Sequence, residues 1–157
     1  MKGRLSAKTQ VDVGRDEARQ WFLDLKTHPE RYEFATHAGF EFVKGDFGDV
    51  GAQFQTQERF LGLRARLRFE LTDLETYQFR FQLRRPPLPI WGIFSLERLS
   101  DHQTAVHLRI GSDHTLGRFV LHLPLIRTAI RRQIQREVDH IQTSMEAVNA
   151  DRQETSG

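Results

Sequence analysis

Between Gln53 and Arg84 the chain switches between apolar and polar at almost every residue, and this two-residue period constrains the fold more than any other feature. Phe54, Thr56, Glu58 and Phe60 alternate with Gln53, Gln55, Gln57 and Arg59. Ala65, Leu67, Phe69 and Leu71 alternate with Arg64, Arg66, Arg68 and Glu70. Tyr77, Phe79, Phe81 and Leu83 alternate with Gln78, Arg80, Gln82 and Arg84. Successive side chains of a strand point to opposite faces, so each run predicts a strand with one buried and one wet face. Leu61-Gly62 and a turn near Asp73 to Thr76 are short enough to be hairpins. The three strands therefore form an antiparallel meander with one apolar face.

The flanking segments extend this sheet and cover it. Leu5, Ala7, Thr9, Val11 and Val13 share one side of a first strand that Gly14 ends. Asp16 and Glu17 open a helix, with negative charge at the end where the macrodipole favours it. Ala18, Trp21, Phe22 and Leu25 give that helix an apolar stripe, and Pro29 suits the first turn of a second short helix. Phe40 and Phe42 begin a further strand, and residues 44–51 form a turn-rich loop. After Pro86-Pro87-Leu88-Pro89, two strands are expected at about Ile90 to Leu99 and Thr104 to Ser112. Finally Ile126, Ile130, Ile134, Val138, Ile141, Met145 and Val148 step by three or four, which predicts one helix from about Leu125 to Val148. Pro124 marks its start or a kink.

A chain of 157 residues fits one domain and buries enough surface to need no covalent staple. We expect a single domain over residues 1–149 and a flexible polar tail over 150–157. There are no cysteines, which excludes disulfides and thiolate metal sites and suits a reducing, cytoplasmic setting. The histidines at 28, 37, 102, 107, 114, 122 and 140 show no ligand spacing on one helix face or hairpin, so no metal site and no cofactor is expected. No phosphate loop or nucleophile elbow is present. Met1 to Gln10 lacks the apolar run of a signal peptide, and no stretch approaches the roughly 20 apolar residues of a membrane span, so no stable membrane insertion is expected.

The element order predicts an α+β fold: a curved antiparallel sheet of six to seven strands wrapped around the C-terminal helix, with two short helices after the first strand. A one-sided sheet must cover its apolar face, and only the last helix is long enough to do so. One helix cannot fill the concavity of such a sheet. The remainder is a cavity of the composition usual for small-molecule sites. Its expected lining includes Phe54, Thr56, Glu58 and Phe60 from one strand and Leu67 and Phe69 from the next. Tyr77, Phe79 and Phe81 follow, with Leu108 from the last strand and Ile130 and Ile134 from the helix.

The sequence resembles the START-related superfamily of polyketide cyclases, lipid-transfer proteins and pollen-allergen-type proteins (SRPBCC), which has the helix-grip fold. The resemblance covers about Leu5 to Ala147. It rests on Val11-Asp12-Val13 leading into the Trp21-Phe22 helix, the Thr27-His28-Pro29 restart and the Gly48-Asp49-Val50-Gly51 turn before the meander. The Leu99 to Thr104 hairpin and the final helix complete it. Pro124, and Glu75-Thr76 in place of a proline common in that turn, depart from the pattern. The resemblance implies binding of sterols, lipids, polyketides or hormones, and it carries over no catalytic residue.

Glu58 is the first candidate for chemistry. Its parity places it on the apolar face, opposite Ala65 if Leu61-Gly62 is a two-residue loop. It reads either as a buried acid, base or ligand anchor, or as a strand-end residue reaching solvent. His114 and Ser112 share parity with Val106, Leu108 and Ile110, which makes His114 the other catalytic candidate. Tyr77 offers a hydroxyl on the inner face, and Arg98 shares the face of Phe94 and Leu96. Each also reads as purely structural.

On the outer face, the same register sets Arg68 opposite Arg80, Arg64 opposite Arg84 and Arg59 opposite Arg64, with Arg66 between. Opposed like charges destabilise a sheet, so Arg64, Arg66, Arg68, Arg80 and Arg84 read either as a site for an anionic partner or as a solvated face. Leu116 to Pro124, with Arg127, Arg131, Arg132 and Arg136 behind it, reads as a mobile apolar lid or as a segment packed at the sheet edge. Three functions follow: binding and possible transport of an apolar small molecule, a lipid, polyketide or other polycycle; a cyclase, dehydratase or aldolase acting on such a molecule; or an interaction protein using the arginine face.

Overall fold

The computed structural model describes residues 4–155, apart from the side chain of Phe60. Its elements run in the order β1 (Arg4–Val11), α1 (Arg15–Leu23), two 3-10 turns (Asp24–Lys26 and Pro29–Tyr32), β2 (His37–Lys44) and β3 (Gln53–Phe60). There follow β4 (Leu63–Glu75), β5 (Gln78–Arg85), β6 (Trp91–Ser100), β7 (Gln103–Gly111), α2 (Thr115–His122) and α3 (Pro124–Thr155). The seven strands form one antiparallel sheet in the order β1-β7-β6-β5-β4-β3-β2. The sheet curls around α3, which packs against β1, β7 and β3.

The hairpins set the register. Leu61 (φ 51°) and Gly62 (φ 76°) are both left-handed, the conformation that a two-residue connection between right-twisted strands requires. Glu58 consequently pairs with Ala65, and Phe54 with Phe69. The next hairpin departs from the sequence reading. β4 runs to Glu75, which pairs with Gln78, and irregularities at Arg68/Phe69 and Leu71/Asp73 shift the alignment. Arg68 then faces Arg85, while Arg80 faces Asp73. Arg84 instead donates two hydrogen bonds to Glu70, at 3.0 and 2.7 Å. Arg80 also reaches Asp113 and stacks over Trp91. Thus the expected Arg68–Arg80 and Arg64–Arg84 oppositions do not occur, because the bulges in β4 shift the register: Arg80 and Arg84 gain carboxylate partners, while Arg68 meets Arg85. Arg59 does face Arg64.

β2 contains the irregularity that matters most for the site. Gly39 has φ 60°, and the ladder to β3 shifts between Ala38 and Glu41. An extra residue in one strand reverses the alternation beyond it. His37 and Phe40, three residues apart, are therefore both buried.

At the C-terminal end, Pro124 occupies the first position of α3 rather than kinking it, and the helix continues past the expected Val148 to Thr155. The expected tail is helical through 155. The Leu116 to Pro124 segment is also helical for most of its length. Gly117 lets α2 sit tight on the β7 end: a Cβ there would lie 2.1 Å from Ser112 Oγ. Leu121 is buried beneath α2, whereas Leu116 and Phe119 are exposed.

The core fills one end of the space between sheet and α3. Phe22 packs edge-on to Trp21 and Phe47 and lies 5.2 and 5.0 Å, centroid to centroid, from Phe79 and Phe94. Val138, Ile141 and Met145 of α3 are buried in the same core cluster. Trp21 Nε1 donates to Ser144 Oγ of α3 at 3.0 Å, tying α1 to the helix.

Candidate functional site

The other end of that space is hollow. A cavity of about 300 Å³ opens between β3, β4 and β5 on one side and the first half of α3 on the other. Phe40, Phe54, Leu67, Phe69, Phe81, Leu83 and Phe94 line it from the sheet, and Ile130 and Ile134 from the helix. Pro86, Leu88, Ile90 and Ile110 complete its apolar wall. Among the described residues, no lysine or arginine lines it.

One region of this wall is polar and is assembled from three elements. His37 pairs with Glu58 across β2 and β3, and Glu58 pairs with Ala65 across β3 and β4. These three residues form one row along the sheet. The small Ala65 leaves room over the row, and Glu137 meets it from α3. His37 Nε2 lies 3.6 Å from Glu58 Oε1 and 3.7 Å from Glu137 Oε1. The side chains of His37, Glu58 and Glu137 are 3%, 14% and 10% exposed, so all three sit in a largely dry environment.

The histidine is held in one tautomer. Its Nδ1 lies 2.7 Å from the Tyr32 carbonyl oxygen, which can only accept, so Nδ1 carries a proton, and in the neutral ring Nε2 has the lone pair, facing the two glutamates. Stacking on Phe34, with ring planes 3° apart, fixes the ring. Burial lowers the pKa of His37 below the ordinary histidine value, against the opposing pull of Glu58. Burial, followed by the charge of Glu58, raises Glu137 well above the ordinary carboxylate range. Burial, with Glu137 and Glu58 nearby, likewise raises the Tyr32 phenol. Two carboxyl groups this close and this dry do not both stay ionised without a cation between them.

Two further polar side chains lie beside the row. Thr56 precedes Glu58 by two residues on the same face of β3, and Gln133 precedes Glu137 by one turn of α3. Gln133 Nε2 donates to the Thr36 carbonyl at 3.3 Å, but its Oε1 has no hydrogen-bond partner, and neither has Thr56 Oγ1. Both side chains line the cavity and are more than nine-tenths buried.

The residues expected from the sequence fall into two groups. Phe54, Thr56, Glu58, Leu67, Phe69, Phe81, Ile130 and Ile134 line the cavity. Phe60 lies outside the described side chains. Tyr77, Phe79, Leu108 and His114 do not line it. Tyr77 sits in the β4–β5 turn, where its hydroxyl donates to Asp16 at 2.7 Å and Arg15 covers its ring. Phe79 and Leu108 are on the inner face but at the filled end, buried in the core. His114 is exposed and precedes α2, with its backbone nitrogen bonded to Ser112 Oγ. Arg98 is exposed at the end of β6 and pairs with Asp101.

Sequence reading missed Tyr32, His37, Gln133 and Glu137. Gly39 inside a strand pattern was the available sign of a bulge that brings His37 inward. The expectation of no metal site rested on spacing within single elements, whereas His37, Glu58 and Glu137 converge from three.

Comparison with solved structures places this architecture. A START superfamily protein from Mycobacterium smegmatis aligns over 92% of this chain and 94% of its own, with a TM-score of 0.63 and 12% identity. Norcoclaurine synthase from Thalictrum flavum, in complex with dopamine and hydroxybenzaldehyde, aligns over 94% and 86%, with a TM-score of 0.64 and 12% identity. The di-domain aromatase/cyclase BexL of the BE-7585A biosynthetic pathway aligns over 93% of this chain with a TM-score of 0.68 and 16% identity. This chain spans 47% of BexL's length. The chain has the helix-grip fold. No family model matches the sequence, and no curated protein matches it. No helix among the described residues is long and apolar enough to cross a membrane.

Proposed function

We propose that this protein binds a mainly apolar small molecule, lipid-like or polycyclic, inside the sheet–helix cavity, and holds the molecule's polar group against Glu58, Glu137 and His37. The observation that carries this reading is the cavity itself: about 300 Å³, walled by Phe, Leu and Ile, with its polar groups gathered in one place. That size lies at the lower end of small-molecule sites, and a few convergent polar groups in an apolar wall are their usual means of orienting a ligand. Thr56 Oγ1 and Gln133 Oε1, buried without partners, add hydrogen-bonding capacity that a ligand hydroxyl or amide would satisfy. A cytoplasmic setting accords with the lack of cysteine.

The test is Ala65→Phe, which places a ring over the His37–Glu58 row. Uptake of an apolar fluorescent probe should fall at least about tenfold while the melting temperature holds. Equal uptake in a folded variant removes the probe, and this reading, from the cavity.

A second reading, an enzyme of cyclase, dehydratase or aldolase type, draws on the same row. Glu58, which lines the cavity, would be the proton-transfer group, whereas His114 is exposed and does not line it. Activity toward a cavity-bound substrate that Glu58→Gln abolishes while binding persists would support it. An anionic partner at the arginine face has less support, since Arg84 is bonded to Glu70 and Arg80 faces Asp73 and Asp113.

A further inference from the structure

Three atoms that carry lone pairs converge at the polar part of the cavity. His37 Nε2 and one oxygen each of Glu58 and Glu137 lie within 4.8 Å of one another. The two distances from Nε2, 3.6 and 3.7 Å, exceed hydrogen-bond length. They are close to the separation of ligand atoms around a tetrahedral metal, about 3.4 Å when each bond is about 2.1 Å. The His37 Nδ1–H bond to the Tyr32 carbonyl is the outer contact that orients a metal-binding imidazole and fixes its tautomer.

Charge points the same way. With a divalent cation bound, two carboxylates and a neutral imidazole would bring the group to neutrality in a wall without lysine or arginine. A second, independent observation comes from the neighbours. Gln133 Oε1 and Thr56 Oγ1 are buried, unpartnered and in the same wall, so they could accept hydrogen bonds from a water or hydroxyl on the cation.

We propose that His37, Glu58 and Glu137 form a binding site for a divalent transition metal, with a remaining coordination position facing the apolar cavity. One imidazole and two carboxylates, with no thiolate, suit Zn²⁺, Fe²⁺, Mn²⁺ or Co²⁺. Three protein ligands with an open position is the pattern of a site that exchanges water for a ligand oxygen, unlike the closed four-ligand pattern of structural zinc. The organic ligand class that fits is an apolar molecule bearing a carbonyl or hydroxyl oxygen. The metal site goes beyond the apolar-ligand reading and is tested with metal alone, so each can fail without the other.

The experiment uses the full chain stripped with a chelator, titrated with Co²⁺ by visible absorption and with Zn²⁺ by calorimetry. One equivalent should bind, with Co²⁺ giving ligand-field bands and Zn²⁺ raising the melting temperature. Glu58→Gln and Glu137→Gln, which keep side-chain shape, should each weaken binding by about 100-fold or more, and His37→Ala should do the same if it folds. His107→Ala, at the surface pair with Glu97, should leave affinity unchanged. Absence of binding in the parent overturns the proposal. So does binding of parent strength in both glutamine variants, which would place the metal on surface histidines.

Discussion

The two ends of the space between sheet and α3 are built from the same kinds of side chain and come out differently. At one end Trp21, Phe22 and Phe79 are buried in one cluster with Val138, Ile141 and Met145, and Phe47 and Phe94 stand between that cluster and the cavity. At the other, Phe54, Phe69 and Phe81 stand as a wall facing Ile130 and Ile134 across open volume. The difference is not a shortage of aromatic residues. At the filled end α1 inserts Trp21 and Phe22 as a third layer between sheet and helix, and no described element does so at the hollow end. There α3 also replaces apolar side chains by Gln133 and Glu137, whose polar ends keep the lining from collapsing into a dry core. Hollowness here follows from a missing layer and two polar positions on one helix.

That contrast is open to direct attack. Phe22→Ala should destabilise the fold by about 3–5 kcal/mol, since every neighbour of the ring is fixed by another ring. Phe69→Ala, at a half-buried wall position, should cost about 1–2 kcal/mol and chiefly alter ligand uptake. Urea unfolding of the two variants decides, and equal losses would erase the distinction between packed end and wall.

The polar row sharpens the same comparison through pH. Glu137 has a raised pKa in the fold and returns toward the ordinary value near 4.5 on unfolding. The folded protein therefore holds the extra proton, and its stability contribution falls as pH rises from about 4.5 through the folded pKa. Burial sets most of this shift, Glu58 adds to it and Tyr32 opposes it, while His37 also faces the carboxyl. In chelator, Glu137→Gln should match the parent's stability near about pH 4 and exceed it increasingly toward neutrality. Unfolding curves at several pH values test the sign, and a variant whose advantage shrinks with rising pH would refute it.

Smaller effects belong to the filled end and the surface. Trp21→Phe, which loses the bond to Ser144, should cost about 1 kcal/mol in thermal or urea unfolding. Arg84→Ala, which breaks an exposed pair with Glu70, should change stability by no more than about 1 kcal/mol and less in high salt. A loss of several kcal/mol there would mean the outer face contributes more than solvent-screened pairs can.

How far the sequence could be read follows from these elements. Alternation over 53–84 gives the meander, and the Leu61-Gly62 dipeptide gives the Glu58–Ala65 pairing, because both are local rules. Parity tells which face a residue occupies and not how far along the cavity it lies. Phe79 and Leu108 are thus on the expected face and at the other end. Bulges defeat local counting altogether: those in β4 move Arg80 opposite Asp73 and Arg68 opposite Arg85, and the one at Gly39 hides His37. Glu137 and Gln133 escape notice because an apolar stripe read in steps of three and four passes over the polar residues at its margin, and only the tertiary fold shows that the margin faces inward.

The placement of β2 has a further consequence. Among the described residues it is an edge strand whose neighbour in the sheet is β3, and its inner face is two half-strands out of phase across Gly39. A single-residue insertion or deletion near that glycine would exchange which side chain stands beside Glu58 and leave the other six strands in register. The polar row of the cavity thus depends on the part of the sheet most easily rewritten, a margin that can change while the rest of the cavity wall stays as it is.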